Sequence, residues 1–184
     1  MAHYRIAVVV GSIRKDSFNK KLALALEKLF PADFSFTHVR IDDLPPYNQD
    51  DDGNPSAQVT RLKGEITAAQ GLLFFTPEYN RSIPGVLKNA IDHASRPYGK
   101  SVWNGKPAGV LGASVGPIGT ALAQQHLRNI LAYLNVPTLG QPEAFVHAKE
   151  GLFDEGGNIG EASRKFLQGW VDSYVGFVKK HAVA

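Results

Sequence analysis

Two kinds of hydrophobic spacing alternate along the chain. Five strands are predicted, by a buried apolar run at 6–10, partial alternation at 34–41, further short runs at 72–76 and 107–113, and a segment within 136–146 that Gly140 and Pro142 interrupt. Apolar residues that recur every three or four positions predict five helices, over 22–29, 59–66, 86–94, 127–134 and 166–178. Because each strand is followed by a helix, the pattern predicts an α/β fold, a three-layer sandwich with helices on both faces of a parallel sheet.

The same pattern predicts where a ligand binds. In sheets of this kind, ligands lie beyond the carboxyl ends of the strands, where the strand order reverses. The loops after the first, third and fourth strands are therefore the candidates for chemistry. With 184 residues, no internal repeat and no interdomain linker, the chain is expected to form a single domain over 1–184.

Charge and composition narrow the classes of function. The net charge of +3 comes without a long basic run, so nucleic-acid binding has little support. The absence of cysteine excludes disulfides and thiolate nucleophiles and fits a reducing cytosol. The N-terminal apolar run is too short to span a membrane, and no signal-peptide pattern surrounds it. We therefore expect a cytoplasmic protein that binds neither nucleic acid nor membranes.

The loop after the first strand carries groups that bind an anion. Free backbone N–H groups and the positive end of a helix dipole meet there. Ser12, Ser17 and Asn19 can donate side-chain hydrogen bonds, and Arg14 adds a planar cation. Neither a P-loop nor a dinucleotide fingerprint is present, so one monophosphate fits better than a pyrophosphate. The alternative is an ordinary helix start with Ser17 as its N-cap, and both roles can coexist.

The loops after the third and fourth strands suit a flat ring. Tyr79 offers an aromatic face, and the backbone of 78–80 offers hydrogen bonds to a heterocycle. In the fourth-strand loop, small residues let a ligand approach the backbone closely, and Ser114 can donate to a ring carbonyl. The alternatives are a surface turn, with Ser82 capping the next helix, and a flexible connection. A single ligand would explain all three loops.

These loops closely resemble those of the NAD(P)H-dependent FMN reductase family, which includes bacterial chromate and quinone reductases. The resemblance spans most of the domain, from Ile6 to about Val146, and its first two motifs are specific in combination. The matching positions are Gly11, Ser12, Arg14, Ser17 and Asn19; then Thr76 to Asn80, Ser82, Pro84, Gly85 and Leu87 to Asp92; then, more loosely, Gly112 to Ser114, Gly116, Gly119 and Thr120.

The resemblance implies a flavodoxin-like fold with strand order 2-1-3-4-5 and one non-covalent FMN. It implies that the FMN phosphate is surrounded by Ser12, Arg14, Ser17 and Asn19. Around the isoalloxazine ring it places Pro77, Glu78, Tyr79 and Asn80. Ser114 and Gly116 would lie near the pyrimidine edge or the ribityl chain, and Phe18 and Ser82 are expected to contact the cofactor as well.

The resemblance also implies an enzyme that passes hydride from NADH or NADPH to quinones, free flavin or oxidised metal ions such as chromate. No side chain is expected to be catalytic, because the flavin carries the chemistry. Family members are commonly dimers or tetramers, so we expect a homodimer or homotetramer joined through the helices at 84–96 and 120–134. The loop around 46–48 would then approach the neighbouring subunit's flavin.

Two other functions stay open at this point. A flavodoxin-type electron carrier would share the fold and the FMN without oxidising NAD(P)H, although such carriers tend to be acidic and this chain is basic. A phosphate-ligand domain without flavin would need only the first loop. No metal is expected, because Asp50 to Asp52 fail the spacing of a calcium loop and the histidines show no metal spacing. Trp103 and Trp170 are expected to pack in the core.

Overall fold

The computed structural model describes residues 3–182 and contains a five-stranded parallel sheet. The strands are β1 (Tyr4–Val10), β2 (Phe34–His38), β3 (Gly71–Phe75), β4 (Ala108–Ser114) and β5 (Ala144–His147). The helices are α1 (Phe18–Glu27), α2 (Ala57–Thr67), α3 (Gly85–Ser95), α4 (Ala121–Tyr133) and α5 (Glu161–His181), with a short 3₁₀ turn at Gln49–Asp51. The strand order is β2-β1-β3-β4-β5, which confirms the predicted fold class and topology.

The three central strands β1, β3 and β4 are buried on both faces, and this is why they appear in the sequence as apolar runs. Successive side chains of a strand point to opposite faces. Ile6 and Val8 of β1 therefore pack with α1 and α5. Ala7 and Val9 pack with α2, α3 and α4 on the other face. Two separate cores thus hold the sheet rigid between its helical layers.

Glycine at position 109 lets α5 approach the sheet closely. A Cβ atom on Gly109 would lie 2.7 Å from the Trp170 ring and 2.8 Å from the Tyr174 ring. These two rings stack with centroids 5.6 Å apart, and the Tyr174 hydroxyl donates to the Leu72 carbonyl at 2.8 Å. Burial raises the pKa of that hydroxyl well above its usual value. Trp170 is therefore a packing residue, as predicted.

The other tryptophan also packs in the core. Trp103 is fully buried on the α2–α3–α4 face, and its indole N–H donates to the Ile91 carbonyl at 3.0 Å. Among residues 3–182, no helix combines the length and the apolar composition needed to cross a membrane.

The ends of several elements differ from the predicted bounds. The helix α1 begins at Phe18, four residues before the apolar repeat, because Ser17 caps it. The strand β5 covers 144–147, at the end of the 136–146 region that was predicted to contain it. The earlier part of that region makes a single bridge to β4, through Thr138 and Ala108, and does not continue as a strand.

Candidate functional site

Three loops meet at the carboxyl edge of the sheet. Loop 1 (11–17) follows β1, loop 3 (76–84) follows β3 and loop 4 (115–120) follows β4, and these three strands are neighbours in the sheet. Backbone hydrogen bonds hold the loop starts together. Gly11 N–H donates to the Phe75 carbonyl at 2.8 Å, and Thr76 N–H donates to the Leu111 carbonyl at 3.0 Å. The sequence-predicted segments therefore form one continuous edge.

Loop 1 ends at the capped start of α1. Ser17 is buried, and its hydroxyl accepts a hydrogen bond from Lys20 N–H at 3.2 Å. Ser12 is half-buried and Arg14 is exposed. The first turn of a helix leaves N–H groups without intrahelical partners, and the helix dipole adds positive potential there. The start of α1 thus has the electrostatics that a phosphate group requires.

Asn19 joins α1 to β4. Its side chain is 3% exposed and makes two hydrogen bonds with the backbone of Ala113, donating to the carbonyl and accepting from the N–H, both at 2.9 Å. Pairing between β3 and β4 ends at Phe75 and Leu111, so Asn19 supplies the hydrogen-bond partners beyond the end of β3. The amide fixes the distance between loop 1 and loop 4.

The tip of loop 3 is a tight turn in an uncommon conformation. Tyr79 and Ser82 exchange two backbone hydrogen bonds of 3.0 Å, and the two residues between them, Asn80 and Arg81, have φ angles of 52° and 65°. Positive φ at both central positions defines a type I′ turn. Asparagine tolerates that region, whereas arginine is strained in it. Within this constrained turn the Tyr79 side chain stays 55% exposed.

Glu78 anchors loop 3 to the start of α4. Its carboxylate oxygen Oε2 accepts hydrogen bonds from Leu122 N–H and Ala123 N–H, both at 3.1 Å. The residue preceding α4, Thr120, makes no side-chain cap, so Glu78 satisfies the N–H groups that the helix leaves free. A carboxylate at the positive end of the helix dipole is also favourable electrostatically. A second link to α4 is a 3.0 Å contact between Ser82 Oγ and His126 Nδ1.

Loop 4 folds around the Ser114 hydroxyl. This hydroxyl donates to the Gly119 carbonyl at 2.6 Å and accepts from Gly116 N–H at 3.2 Å. No side chain fits at position 112, because a Cβ there would lie 2.1 Å from the Thr76 carbonyl oxygen. Glycine at position 112 therefore allows the backbones of β3 and β4 to lie close together where the two loops begin.

Apolar side chains remain exposed in all three loops. The exposed fractions are 59% for Ile13, 55% for Tyr79, 72% for Val115 and 54% for Ile118. Exposed apolar groups in adjacent loops offer surface that another molecule can cover. Together with a helix start whose electrostatics suit a phosphate, they fit a ligand with an anionic tail and a flat ring, as in FMN.

The comparisons with known proteins agree with this chemistry. The model of the NADPH-dependent FMN reductase family matches residues 4–151. The chain belongs to this family. The match confirms the predicted family and, at the level of the family, the predicted FMN- and NAD(P)H-dependent enzyme.

Several relatives of this FMN reductase family member are named quinone reductases. The chain is 53% identical over 180 residues to a 2-hydroxy-1,4-benzoquinone reductase of Burkholderia sp, covering 97% of this chain and 98% of that protein. It is 45% identical over 177 residues to a quinone reductase of Pseudomonas putida, covering 96% and 95%. The solved structure of FerB, a flavoenzyme NAD(P)H:(acceptor) oxidoreductase from Paracoccus denitrificans, superposes with a TM-score of 0.94 at 45% identity, covering 98% and 100%.

Asn89, a residue of the family motif, attaches a further loop, at 45–52, to α3. Asn89 of α3 accepts from Tyr47 N–H at 2.8 Å and donates to the Pro45 carbonyl at 2.9 Å. His93, one turn further along α3, contacts the same carbonyl at 2.8 Å. The Tyr47 hydroxyl lies 3.3 Å from a carboxylate oxygen of Asp52. Burial and the nearby Asp52 carboxylate raise the pKa of Tyr47 above its usual value. This loop, expected near the neighbouring flavin, is therefore rigidly attached to α3.

The sequence-predicted site residues all lie on or beside the three loops, but their side chains do different work. Ser17, Asn19, Glu78, Ser82 and Ser114 already make hydrogen bonds to other parts of the chain. Ser12, Arg14, Phe18, Tyr79 and Asn80 are half-buried or exposed at this edge, whereas Pro77 is buried and the backbone of Gly116 already bonds to Ser114 and Gly119. The contacts of His126 with Ser82 and of Asn89 with Pro45 and Tyr47 could not be predicted from the sequence, because the partners lie in other elements.

Proposed function

We propose that this chain is an FMN-dependent quinone reductase, which takes hydride from NADH or NADPH and delivers electrons to quinones. The proposal rests on the arrangement of side chains at the carboxyl edge of the sheet, in a chain that belongs to the FMN reductase family. A capped helix start for a phosphate lies there beside exposed apolar and aromatic side chains for a flat ring. The names of the Burkholderia and Pseudomonas relatives support quinones as the acceptors.

Each of the three loops would bind a different part of FMN. Ser12, Arg14, Ser17 and the N–H groups at the start of α1 would bind the phosphate. The edge of the ring would lie against Pro77, Glu78, Tyr79, Asn80 and Ser82. Ser114 and Gly116 would line the pyrimidine edge or the ribityl chain. Phe18 and Asn19 would support loop 1 from α1. We propose that the whole chain, 1–184, forms a single domain that contains this site.

When bound, FMN supplies the redox chemistry, accepting hydride from NAD(P)H and giving electrons to the acceptor. The chain's own contribution is to bind and orient. Tyr79, Val115 and Ile118 of loops 3 and 4 would flank the ring, and one face of it would stay accessible to substrates. Donor and acceptor would use this face in turn, which predicts ping-pong kinetics. Free flavin and oxidised metal ions such as chromate are proposed as further acceptors, because an open face does not select strongly among oxidants.

The same proposal includes a homodimer or homotetramer joined through α3 and α4. A groove of about 610 Å³ runs between the ends of these helices. Two large side chains beside it are largely exposed, Tyr98 at 84% and Tyr133 at 76%. Aromatic residues are enriched at interfaces, so a second copy that covered them would complete the packing of both helices. A reducing cytosolic location fits the cysteine-free sequence.

Steady-state kinetics on the purified, FMN-loaded protein test the proposal. We expect oxidation of NADH or NADPH that depends on an added benzoquinone and gives parallel lines in double-reciprocal plots. A protein that retained FMN but turned over neither nucleotide without a partner reductase would favour the electron-carrier alternative. Intersecting lines would instead refute the use of one face by both substrates.

A further inference from the structure

A second groove lies beside loop 1, on the side away from β3 and β4. It is a cavity of about 280 Å³ at the carboxyl ends of β1 and β2. Its wall includes the cationic residues Arg14, Lys15, Lys20 and Arg40 but only one carboxylate, that of Asp42. Because β2 and β3 flank β1 on opposite sides, this groove lies on the other side of loop 1 from the proposed flavin ring, although it shares Ser12 and Arg14 with the proposed phosphate site.

Most of this positive charge is uncompensated. Arg14, Lys15 and Lys20 are exposed, and none of them forms an ion pair with a carboxylate within residues 3–182. Arg40 differs, because it lies 2.7 Å from Asp42 and 3.6 Å from Asp43. The net charge of the groove therefore comes from loop 1 and from the first turn of α1, next to the proposed FMN phosphate.

The size and charge of the groove fit one end of a dinucleotide. Sites that bury a whole drug-sized ligand measure about 300–1,000 Å³, so this groove takes only a part of such a molecule. A dianionic phosphomonoester matches two lysines that carry no other partner. Ile13, which is 59% exposed and also lines the groove, offers apolar surface to an adjoining purine.

The position at the end of β2 is chemically suitable for reading a nucleotide ribose. In doubly wound sheets that bind dinucleotides, an acidic residue about 20 positions after the glycine-rich turn binds a ribose 2′-hydroxyl, whereas a nearby arginine accommodates a 2′-phosphate. Here Arg40 lies two residues after β2, and Lys15 and Lys20 face the same cavity.

We propose that this groove binds the 2′-phosphate of NADPH and makes the enzyme prefer NADPH to NADH. The proposal rests on the proposed function, since the nicotinamide must lie on the flavin ring. The dinucleotide would then run back along the cofactor past loop 1, so that its adenosine end reaches Lys15 and Lys20. Arg40 would contribute less than these lysines, because Asp42 already binds it.

The test compares both nucleotides in matched variants of the FMN-loaded protein. In Lys15→Ala/Lys20→Ala, kcat/KM for NADPH is expected to fall by about tenfold, while kcat/KM for NADH stays within about twofold of wild type. Lys165→Ala removes an exposed lysine from α5, away from the groove, and is expected to change neither value. Asp42→Asn releases Arg40 and is expected to raise kcat/KM for NADPH. Fluorescence of retained FMN checks that cofactor loading is unchanged.

Each outcome bears on the proposal. Equal losses for NADH and NADPH, or no loss for NADPH, would overturn it while leaving quinone reduction intact. Absence of turnover with either nucleotide in the wild type would overturn the proposed function as well. A second source of a phosphomonoester is an FMN molecule acting as electron acceptor. If the double variant lost activity toward FMN relative to riboflavin and kept its NADPH preference, the groove would serve the acceptor and the assignment to NADPH would be wrong.

Discussion

Replacing Asn19 with alanine tests whether the cofactor site depends on the junction between α1 and β4. The change removes both 2.9 Å hydrogen bonds to Ala113 and leaves two buried backbone groups without partners. Leaving a buried polar group unsatisfied costs about 1–3 kcal/mol. We therefore expect Asn19→Ala to lower the free energy of unfolding of the apoprotein by about 3 kcal/mol, measured by urea denaturation.

Two further variants sharpen this test. Asn19→Asp keeps an acceptor for the Ala113 N–H but places a carboxylate against the Ala113 carbonyl, so it should also destabilise the apoprotein. Asn54→Ala removes an exposed asparagine from the loop before α2 and should change stability by less than about 0.5 kcal/mol. If Asn19→Ala left the apoprotein as stable as wild type and weakened only FMN binding, Asn19 would be a phosphate ligand and the structural reasoning would be refuted.

Three other predictions follow from single contacts. Glu78→Gln removes the charge that caps α4 and should lower the free energy of unfolding by about 1 kcal/mol, whereas unchanged stability in urea would contradict the capping role. Arg81→Gly relieves the positive φ angle of loop 3 and should raise the urea midpoint by the equivalent of about 1 kcal/mol; a lower midpoint would show that the arginine side chain outweighs the strain. Hydrogen bonds from Asn158 lower the pKa of Asp154 from its ordinary value, so its stabilising effect is present above the unfolded-state pKa and is lost as the pH falls through the folded-state pKa. The difference in melting temperature between wild type and Asp154→Asn should therefore shrink from pH 7 to pH 3, and a constant difference would disagree.

The five strands and both helical layers could be predicted from the alternation of apolar patterns, whereas the strand order was predicted only from the resemblance to the family. Strands buried on both faces are short uninterrupted apolar runs, as at Ile6 to Val9 and at Leu72 to Phe75. The region 136–146 was predicted to contain the fifth strand, and β5 lies at its end, but the apolar pattern did not locate where the strand begins. Before β5, Thr138 makes only one bridge to β4.

The site residues were predictable by type and place but not by partner. Serine, arginine and glycine in strand-to-helix loops indicate an anion site from the sequence alone. The bonds from Asn19 to Ala113 and from Glu78 to Leu122 join residues 94 and 44 positions apart, and spacing within one loop contains no information about such pairs. The type I′ turn was equally hidden, because Asn80-Arg81 lacks the glycine that usually occupies its second central position.

The grooves beside β1 and between α3 and α4 could not be predicted from the sequence either. Lys15 and Lys20 are five positions apart, and Arg40 belongs to another element, so their convergence appears only when β1 and β2 are paired. Tyr98 and Tyr133 are far apart in the sequence, and only the packing of α3 beside α4 shows that both line one groove.

Binding of one FMN at the carboxyl edge of the sheet is the central claim, and a visible spectrum tests it most directly. The purified protein is mixed with excess FMN, passed through a desalting column and then treated with NADPH or NADH without oxygen. We predict an oxidised-flavin spectrum after desalting, close to one FMN per chain, that bleaches when the nucleotide is added. A colourless protein after desalting, or a flavin spectrum that neither nucleotide bleaches, would contradict the account.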